Sequence, residues 1–252
     1  MKAADIFMTT LPGRSDLTYR SIMSLCENTK MSDVRFSVYI DGLGHSKEVM
    51  SLIENVADHI IISKERQGLP QAINRTLSYI SATNDYFSSV GATDNSEVSP
   101  FICMVQDDLE YTNSWLNTII SRFTIYEKKF NLKFASGVEC IEHPISADIG
   151  NGCILKKYIR AANMFARREY WLSMFPIPRF DPETRSIRAF PSNGIGSGVD
   201  WWFIRNHQNS VVKTNSECLV IPGLLRHIGY ANSTWLDREL PESDNDKKAM
   251  SK

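Results

Sequence analysis

The sequence has no apolar run near the roughly 20 residues needed to span a bilayer. Residues 1–8 carry no basic segment ahead of an apolar one, so the N-terminus reads as mature sequence rather than a signal peptide. A cytoplasmic setting is expected, with any membrane contact peripheral. Cysteine is sparse: Cys26, Cys103, Cys140, Cys153 and Cys218 are scattered, odd in number and without a CxxC spacing. That excludes a disulfide frame and a zinc site, and predicts reduced, mostly buried thiols. No charge sign dominates, since 28 Lys and Arg face 29 Asp and Glu for a net −1; no global basic field announces a nucleic-acid binder. GxGxxG, GxxxxGK[ST] and HExxH are all missing, which removes a dinucleotide site, a P-loop and a zincin helix. Ser197 fails the GxSxG elbow because position 195 is Ile.

What is present is a globular composition: 252 residues, 42% hydrophobic and 23% charged, enough for one core in a single α/β domain. Strand-like runs at residues 5–10, 35–40 and 59–63 alternate with helical faces. One face holds Tyr19, Ile22, Met23 and Cys26, the next Val49, Leu52, Ile53 and Val56, and the third Leu69, Ala72, Ile73, Leu77 and Ile80. Ser15 and Asp16 are N-cap candidates for the first helix. Three βα units in succession predict a parallel sheet with right-handed crossovers. The polar stretch 81–100 predicts a loop, 101–105 a strand buried on both faces, and Trp115 to Phe123 a helix. Further on, short strands are expected at 134–140, 152–155 and 218–221. A glycine-rich loop is expected at 191–198, an aromatic helix at 200–206, and a frayed polar tail at 237–252.

In an open parallel sheet, ligands bind beyond the carboxyl ends of the strands. Thr9, Thr10, Leu11, Pro12 and Arg14 close the first strand, and Asp41 the second. Arg66 and Gly68 follow the third, and Gln106, Asp107 and Asp108 end the fourth. Adjacent carboxylates after a buried strand suit a hard divalent cation, whose remaining ligands are often substrate phosphates. Blander readings stand beside this one. Asp41-Gly42 is an ordinary turn pair, Asp107, Asp108 and Asp200 sit where helix caps belong, and His227 suits a core position. Arg14, Arg66 and Arg75 serve equally as solvated charges.

Taken in chain order, from about residue 5 to 230, these motifs resemble the GT-A glycosyltransferases, close to the large family 2 group. Residues 9–14 resemble the opening nucleotide-binding loop, and Tyr39-Ile40-Asp41-Gly42 the second-strand Asp that contacts the nucleoside. Gly68, Ala72 and Asn74, with Gln71 between them, are similar to the family's Gly-x-x-x-Ala-x-Asn segment. Gln106-Asp107-Asp108 looks like the metal-binding DxD element, with Gln106 where an acid often stands. Gly198-Val199-Asp200-Trp201-Trp202 resembles the Glu-Asp segment of the catalytic base, with Val199 replacing Glu. Arg226-His227 resembles the late metal-binding His.

The resemblance implies a single GT-A (Rossmann-like) domain over residues 1–236, with a mostly parallel central sheet flanked by helices. Residues 1–110 would bind the nucleotide sugar and 111–236 the acceptor. It implies Mn²⁺ or Mg²⁺ held by Asp108 and His227, and Asp200 as general base for inverting transfer to an acceptor hydroxyl. Trp201 and Trp202 would lie on the acceptor side. Thr9, Thr10, Leu11, Pro12, Arg14, Asp41, Arg66, Gly68, Gln71, Asn74, Gln106 and Asp107 would contact the donor, a UDP-sugar ahead of a GDP-sugar. Residues 156–188 concentrate basic and aromatic side chains, among them Lys156, Lys157, Arg167, Arg168, Tyr170 and Trp171. Such a patch suits an anionic acceptor: a phosphate-bearing glycan, a membrane surface or, as a minority choice, nucleic acid. A nucleotidyltransferase and a non-catalytic sugar-binding module of the same fold remain open alternatives.

Overall fold

A strand buried on both faces needs apolar residues at successive positions, and β1 (Ala4–Thr10) has them. Ala4, Ile6 and Met8 enter one hydrophobic layer and Phe7 the other. The computed structural model describes residues 2–89, 98–139, 145–157, 159, 161–177, 180–181, 186–187 and 216–229. After β1 come α1 (Ser15–Asn28), a 3₁₀ turn, β2 (Val34–Asp41), α2 (Lys47–Val56), β3 (His59–Ser63) and α3 (Leu69–Ser89). Then follow β4 (Phe101–Gln106), β5 (Leu109–Tyr111), α4 (Trp115–Phe130), β6 (Leu132–Ser136), β7 (Ile145–Gly150) and β8 (Cys153–Lys156). The described chain ends with β9 (Asn163–Arg167), α5 (Arg168–Ser173), the short pair β10 (Phe180–Asp181) and β11 (Ser186–Ile187), β12 (Glu217–Val220) and β13 (Leu225–His227).

Nine strands form one sheet in the order β3-β2-β1-β4-β9-β6-β12-β8-β7. The first four are mutually parallel, as the repeated βα units require. Among all nine only β8 and β9 run against the rest. The architecture is therefore the expected one, a mostly parallel central sheet flanked by helices. One face is covered by α1, α2 and α4, whose Ile22, Ile53, Trp115 and Phe123 are fully buried. The other is covered by α3 and α5 through Ile73, Leu77 and Trp171. Among the described residues no helix is long and apolar enough to cross a membrane. Cys26, Cys103, Cys153 and Cys218 are in no disulfide, and the last three are buried.

Several local expectations change. The loop expected at 81–100 begins later, because α3 continues to Ser89; a polar composition does not stop a helix that has already buried one face. Neither Ser15 nor Asp16 caps α1. The cap position is Arg14, with no side-chain cap bond, and Ser15 Oγ instead accepts from the Ser46 amide at 3.2 Å. Asp107 and Asp108 do not cap α4, since β5 and a turn ending at Ser114 intervene. The strand expected at 134–140 is β6, and its end at Ser136 precedes a buried Gly137. β9 was not expected at all, yet it lies between β4 and β6. The expected loop 191–198, helix 200–206 and tail 237–252 lie outside the described residues.

Candidate functional site

Parallel register carries the strand ends to one edge. Thr9 is level with Gln106 across β1 and β4, Thr10 with Ile40 across β1 and β2, and Asp41 with Ser63 across β2 and β3. The polar residues that follow each strand therefore meet, as the doubly wound arrangement demands. Gly42 follows Asp41 with φ +114°, a left-handed conformation, and a Cβ there would press on Pro12 Cγ at 3.2 Å. Glycine lets the second loop close against the first.

Asp107 is the hub of this edge. Its Oδ2 accepts from Thr10 Oγ1 at 2.7 Å, from Thr18 Oγ1 at 3.1 Å and from the Leu11 amide at 3.4 Å. Its Oδ1 lies 3.1 Å from the Arg14 guanidinium. Burial pushes its carboxyl up to about 6, with Arg14 pulling the other way. Asp107 thus ties the loop after β1 and the start of α1 to the end of β4.

Asp108 is different. Its Oδ2 pairs with Arg14 and lies 3.4 Å from His227 Nε2, whereas its buried Oδ1 has no hydrogen-bond partner among the described residues. His227 reaches it because β13 pairs antiparallel with β5, His227 opposite Leu109, and the Ile228 amide donates to the Asp108 carbonyl at 2.8 Å. Arg226 on the same strand pairs with Glu110, which Arg20 of α1 also holds at 2.5 Å. The ribbon is thereby fastened to α1. Among the described residues no three His, Cys, Asp or Glu side chains converge as a complete metal cage. Asp108 and His227 instead form an oxygen–nitrogen pair with one buried carboxylate oxygen unsatisfied. That donor set fits Mn²⁺ or Mg²⁺ when substrate phosphate and water supply the rest.

The other residues expected to contact a donor divide by their partners. Asp41 is 3% exposed and accepts from the Gln67 amide at 2.6 Å and the Gly68 amide at 2.8 Å. It shapes the loop after β3. Asn74 donates to the Ile177 carbonyl and accepts from the Ile177 amide, both at 2.7 Å, so its amide anchors the chain beyond α5. Thr9, Leu11, Pro12, Gln71 and Gln106 are partly buried around the edge, Gly68 turns beside Asp41, and Arg66 is exposed. Asp200, Trp201 and Trp202 lie outside the described residues.

The basic cluster at 156–188 changes character. Lys156 lies 3.7 Å from Glu139 and Lys157 pairs with Glu217. Arg167 pairs with Glu127 at 2.7 Å, and Arg168 with Asp5. Trp171 is fully buried and Tyr170 packs against Phe134. Each of these four cations has an acid within the molecule; Lys156 and Arg168 are buried, whereas Lys157 and Arg167 are about a third exposed. Arg160, Arg179, Arg185 and Arg188 lie outside the described residues.

His45, in the loop before α2, escaped the sequence reading. Its Nε2 lies 3.1 Å from Thr10 Oγ1 and its Nδ1 3.5 Å from Ser15 Oγ. Thr10 gives its one proton to Asp107, so its oxygen accepts from His45, which places the ring proton on Nε2. Burial lowers the His45 pKa below 6.5 and keeps the ring neutral. A depressed folded-state pKa means stability present above about pH 6.5 and lost as pH falls through the folded value. The melting temperature should therefore fall more steeply on acidification for the native chain than for His45→Gln; equal slopes would remove His45 from this network.

No family model matches the chain, and no curated protein does. Solved structures do. The crystal structure of S. aureus TarS is similar over 88% of this chain and 35% of its own, with TM-score 0.51 and 9% identity. The mannosyltransferase PcManGT from Pyrobaculum calidifontis, in complex with GDP-Man and Mn²⁺, is similar over 88% of this chain and 55% of its own, with TM-score 0.53 and 9% identity. The chain thus spans roughly a third to a half of the proteins it matches. The second is a glycosyltransferase by its name. The parallel half-sheet, the acidic end of β4 and these two likenesses agree: the chain has the GT-A glycosyltransferase fold.

Proposed function

We propose that the protein is a nucleotide-sugar-dependent glycosyltransferase, metal-dependent and inverting, in the manner of the family 2 group. The observation that carries this reading is the meeting of Asp108, His227 and Arg14 at the carboxyl end of β4. Residues far apart in the chain converge there on a carboxylate with an unsatisfied buried oxygen. Transfer breaks the bond between the anomeric carbon and the diphosphate oxygen, so negative charge grows on the leaving group. Asp108 and His227 would hold Mn²⁺ or Mg²⁺, which supplies Lewis-acid stabilisation of that charge. Arg14 adds a guanidinium whose fork suits phosphate oxygens. Arg66, with the loops shaped by Asp107 and Asp41, orients the nucleoside and phosphates, and such preorganised charge is usually the largest catalytic contribution. Asp200 is assigned as the base that removes the acceptor hydroxyl proton, a step commonly worth about 10²–10⁴-fold. Trp201 and Trp202 are assigned to the acceptor side. A UDP-sugar is the first donor to try and GDP-mannose, the ligand in the PcManGT structure, the second.

A thermal-shift panel of UDP-, GDP- and dTDP-sugars, each with Mn²⁺ and with EDTA, tests this reading. One donor should raise the melting temperature only with metal, and Asp108→Asn should abolish the metal-dependent part. Donor binding that survives unchanged in Asp108→Asn with Mn²⁺ would refute the metal assignment.

A further inference from the structure

We infer that Arg14 is an exchangeable counter-ion: it holds Asp108 when no divalent cation is bound, and turns onto the donor diphosphate when a cation takes that carboxylate. The inference rests on the metal site proposed above. Its first support is competition for one carboxylate. The Arg14 guanidinium pairs with Asp108 Oδ2, and the same oxygen lies 3.4 Å from His227 Nε2. A cation held at Oδ2, between Asp108 and His227, therefore meets the guanidinium's positive charge directly, and one taken up at Oδ1 still shares the carboxylate with it. Two like charges packed against one buried carboxylate repel, and the mobile one leaves.

The second support is asymmetry between the two acids. Asp107 keeps Thr10, Thr18 and the Leu11 amide as donors if Arg14 departs. Asp108 has only Arg14 and His227 facing its carboxylate among the described contacts, and its Oδ1 is buried without a hydrogen bond. Withdrawal of Arg14 alone would strand that charge; arrival of a divalent cation compensates it. The exchange is thus balanced only when metal is present. The third support is somewhere to go. Arg14 borders a depression of about 200 Å³, lined also by Gly13, Ser15, Asp16, Leu17 and Gly44. Its side chain is 14% exposed, so it is not wholly enclosed where it borders that depression.

The arrangement makes opposite demands on one side chain, and that supplies the test. Mn²⁺ binding is measured without nucleotide, by electron paramagnetic resonance of the free ion. UDP and GDP binding are measured calorimetrically in saturating Mn²⁺. Arg14→Gln should bind Mn²⁺ alone about tenfold or more tighter than the native chain, yet bind the nucleotide about tenfold or more weaker. Arg14→Lys retains the charge without bridging both acids and should shift both quantities in the same directions by less; it stands in if the glutamine variant does not fold. Unchanged or weaker Mn²⁺ binding in the Arg14 variants, or unchanged nucleotide binding, overturns the exchange. Asp108→Asn separates the two levels. If it binds Mn²⁺ as the native chain does, the metal site itself is wrong. If it loses Mn²⁺ while the Arg14 variants gain nothing, only the exchange fails.

Discussion

Gly229→Ala is expected to abolish metal-dependent donor stabilisation while the chain still folds. A Cβ at Gly229 would lie 2.6 Å from Asp108 Cβ and 2.8 Å from an Arg14 terminal nitrogen. Asp108 Cβ is part of a stiff segment, tied by the Ile228 amide on its own carbonyl, so it has little room to yield. The backbone after β13 must lift away from Asp108, which separates the two proposed ligands. Overpacking of this kind costs typically 1–3 kcal/mol, a fall of roughly 2–12 °C for a chain of this size. Calorimetric melting with and without Mn²⁺ and donor reads both effects. An alanine variant that keeps the full metal-dependent shift would mean that the segment after β13 does not hold Asp108 in place.

Asp5→Ala should have the largest effect on stability and the least on the site. Asp5 is 1% exposed at the amino end of β1, paired with Arg168 and 3.5 Å from Arg35. Arg168 also donates from Nε to the Ser99 carbonyl at 2.7 Å, and burial has brought its pKa down to about 10. Removing the carboxylate leaves buried guanidinium charge uncompensated, which costs about 3–5 kcal/mol, or roughly 6–20 °C in melting temperature. The five residue steps from Asp5 to Thr10 span about 17 Å, so donor affinity of the folded variant should be unchanged. Asp5→Leu combined with Arg168→Met should recover part of the loss, since the Arg168 charge leaves with its partner while Arg35, 3.5 Å from Asp5, still loses that carboxylate. A melting temperature within a degree or two of the native value for Asp5→Ala would show that water or other acids already solvate these arginines.

The parallel half of the fold was readable because its signals are local and redundant. Ile6, Met8, Val38 and Ile40 are apolar, sit in β-prone runs and precede loops marked by Pro12, Gly13 and Gly42. β9 was not readable for the complementary reason. Met164 and Ala166 carry no β-branched side chain, and the strand exists because β4 and β6 flank it on either side. β5 and β13 are three residues each, below what periodicity resolves, so their pairing was invisible. The nearness of His227 to Asp108 was accessible only through the order of motifs that the resemblance supplied. Asp41 and Asn74 were read by residue type alone; their partners, the amides of residues 67 and 68 and the backbone of Ile177, are tertiary facts that spacing does not carry. His45 left one usable sign, its place just past the end of β2, where ligand-facing loops gather.

The late arrival of β12 also governs how the chain comes off the ribosome. β12 wedges between β6 and β8, strands synthesised long before it, and β13 follows directly with His227. At about 5–20 residues per second, β6 and β8 emerge several seconds ahead of the strand that joins them. Until β12 is made, the strand that pairs with both of them in the finished sheet is missing. The finished sheet, and the meeting of His227 with Asp108, therefore wait for the last described strands, and that interval is a natural point for a holding chaperone to act.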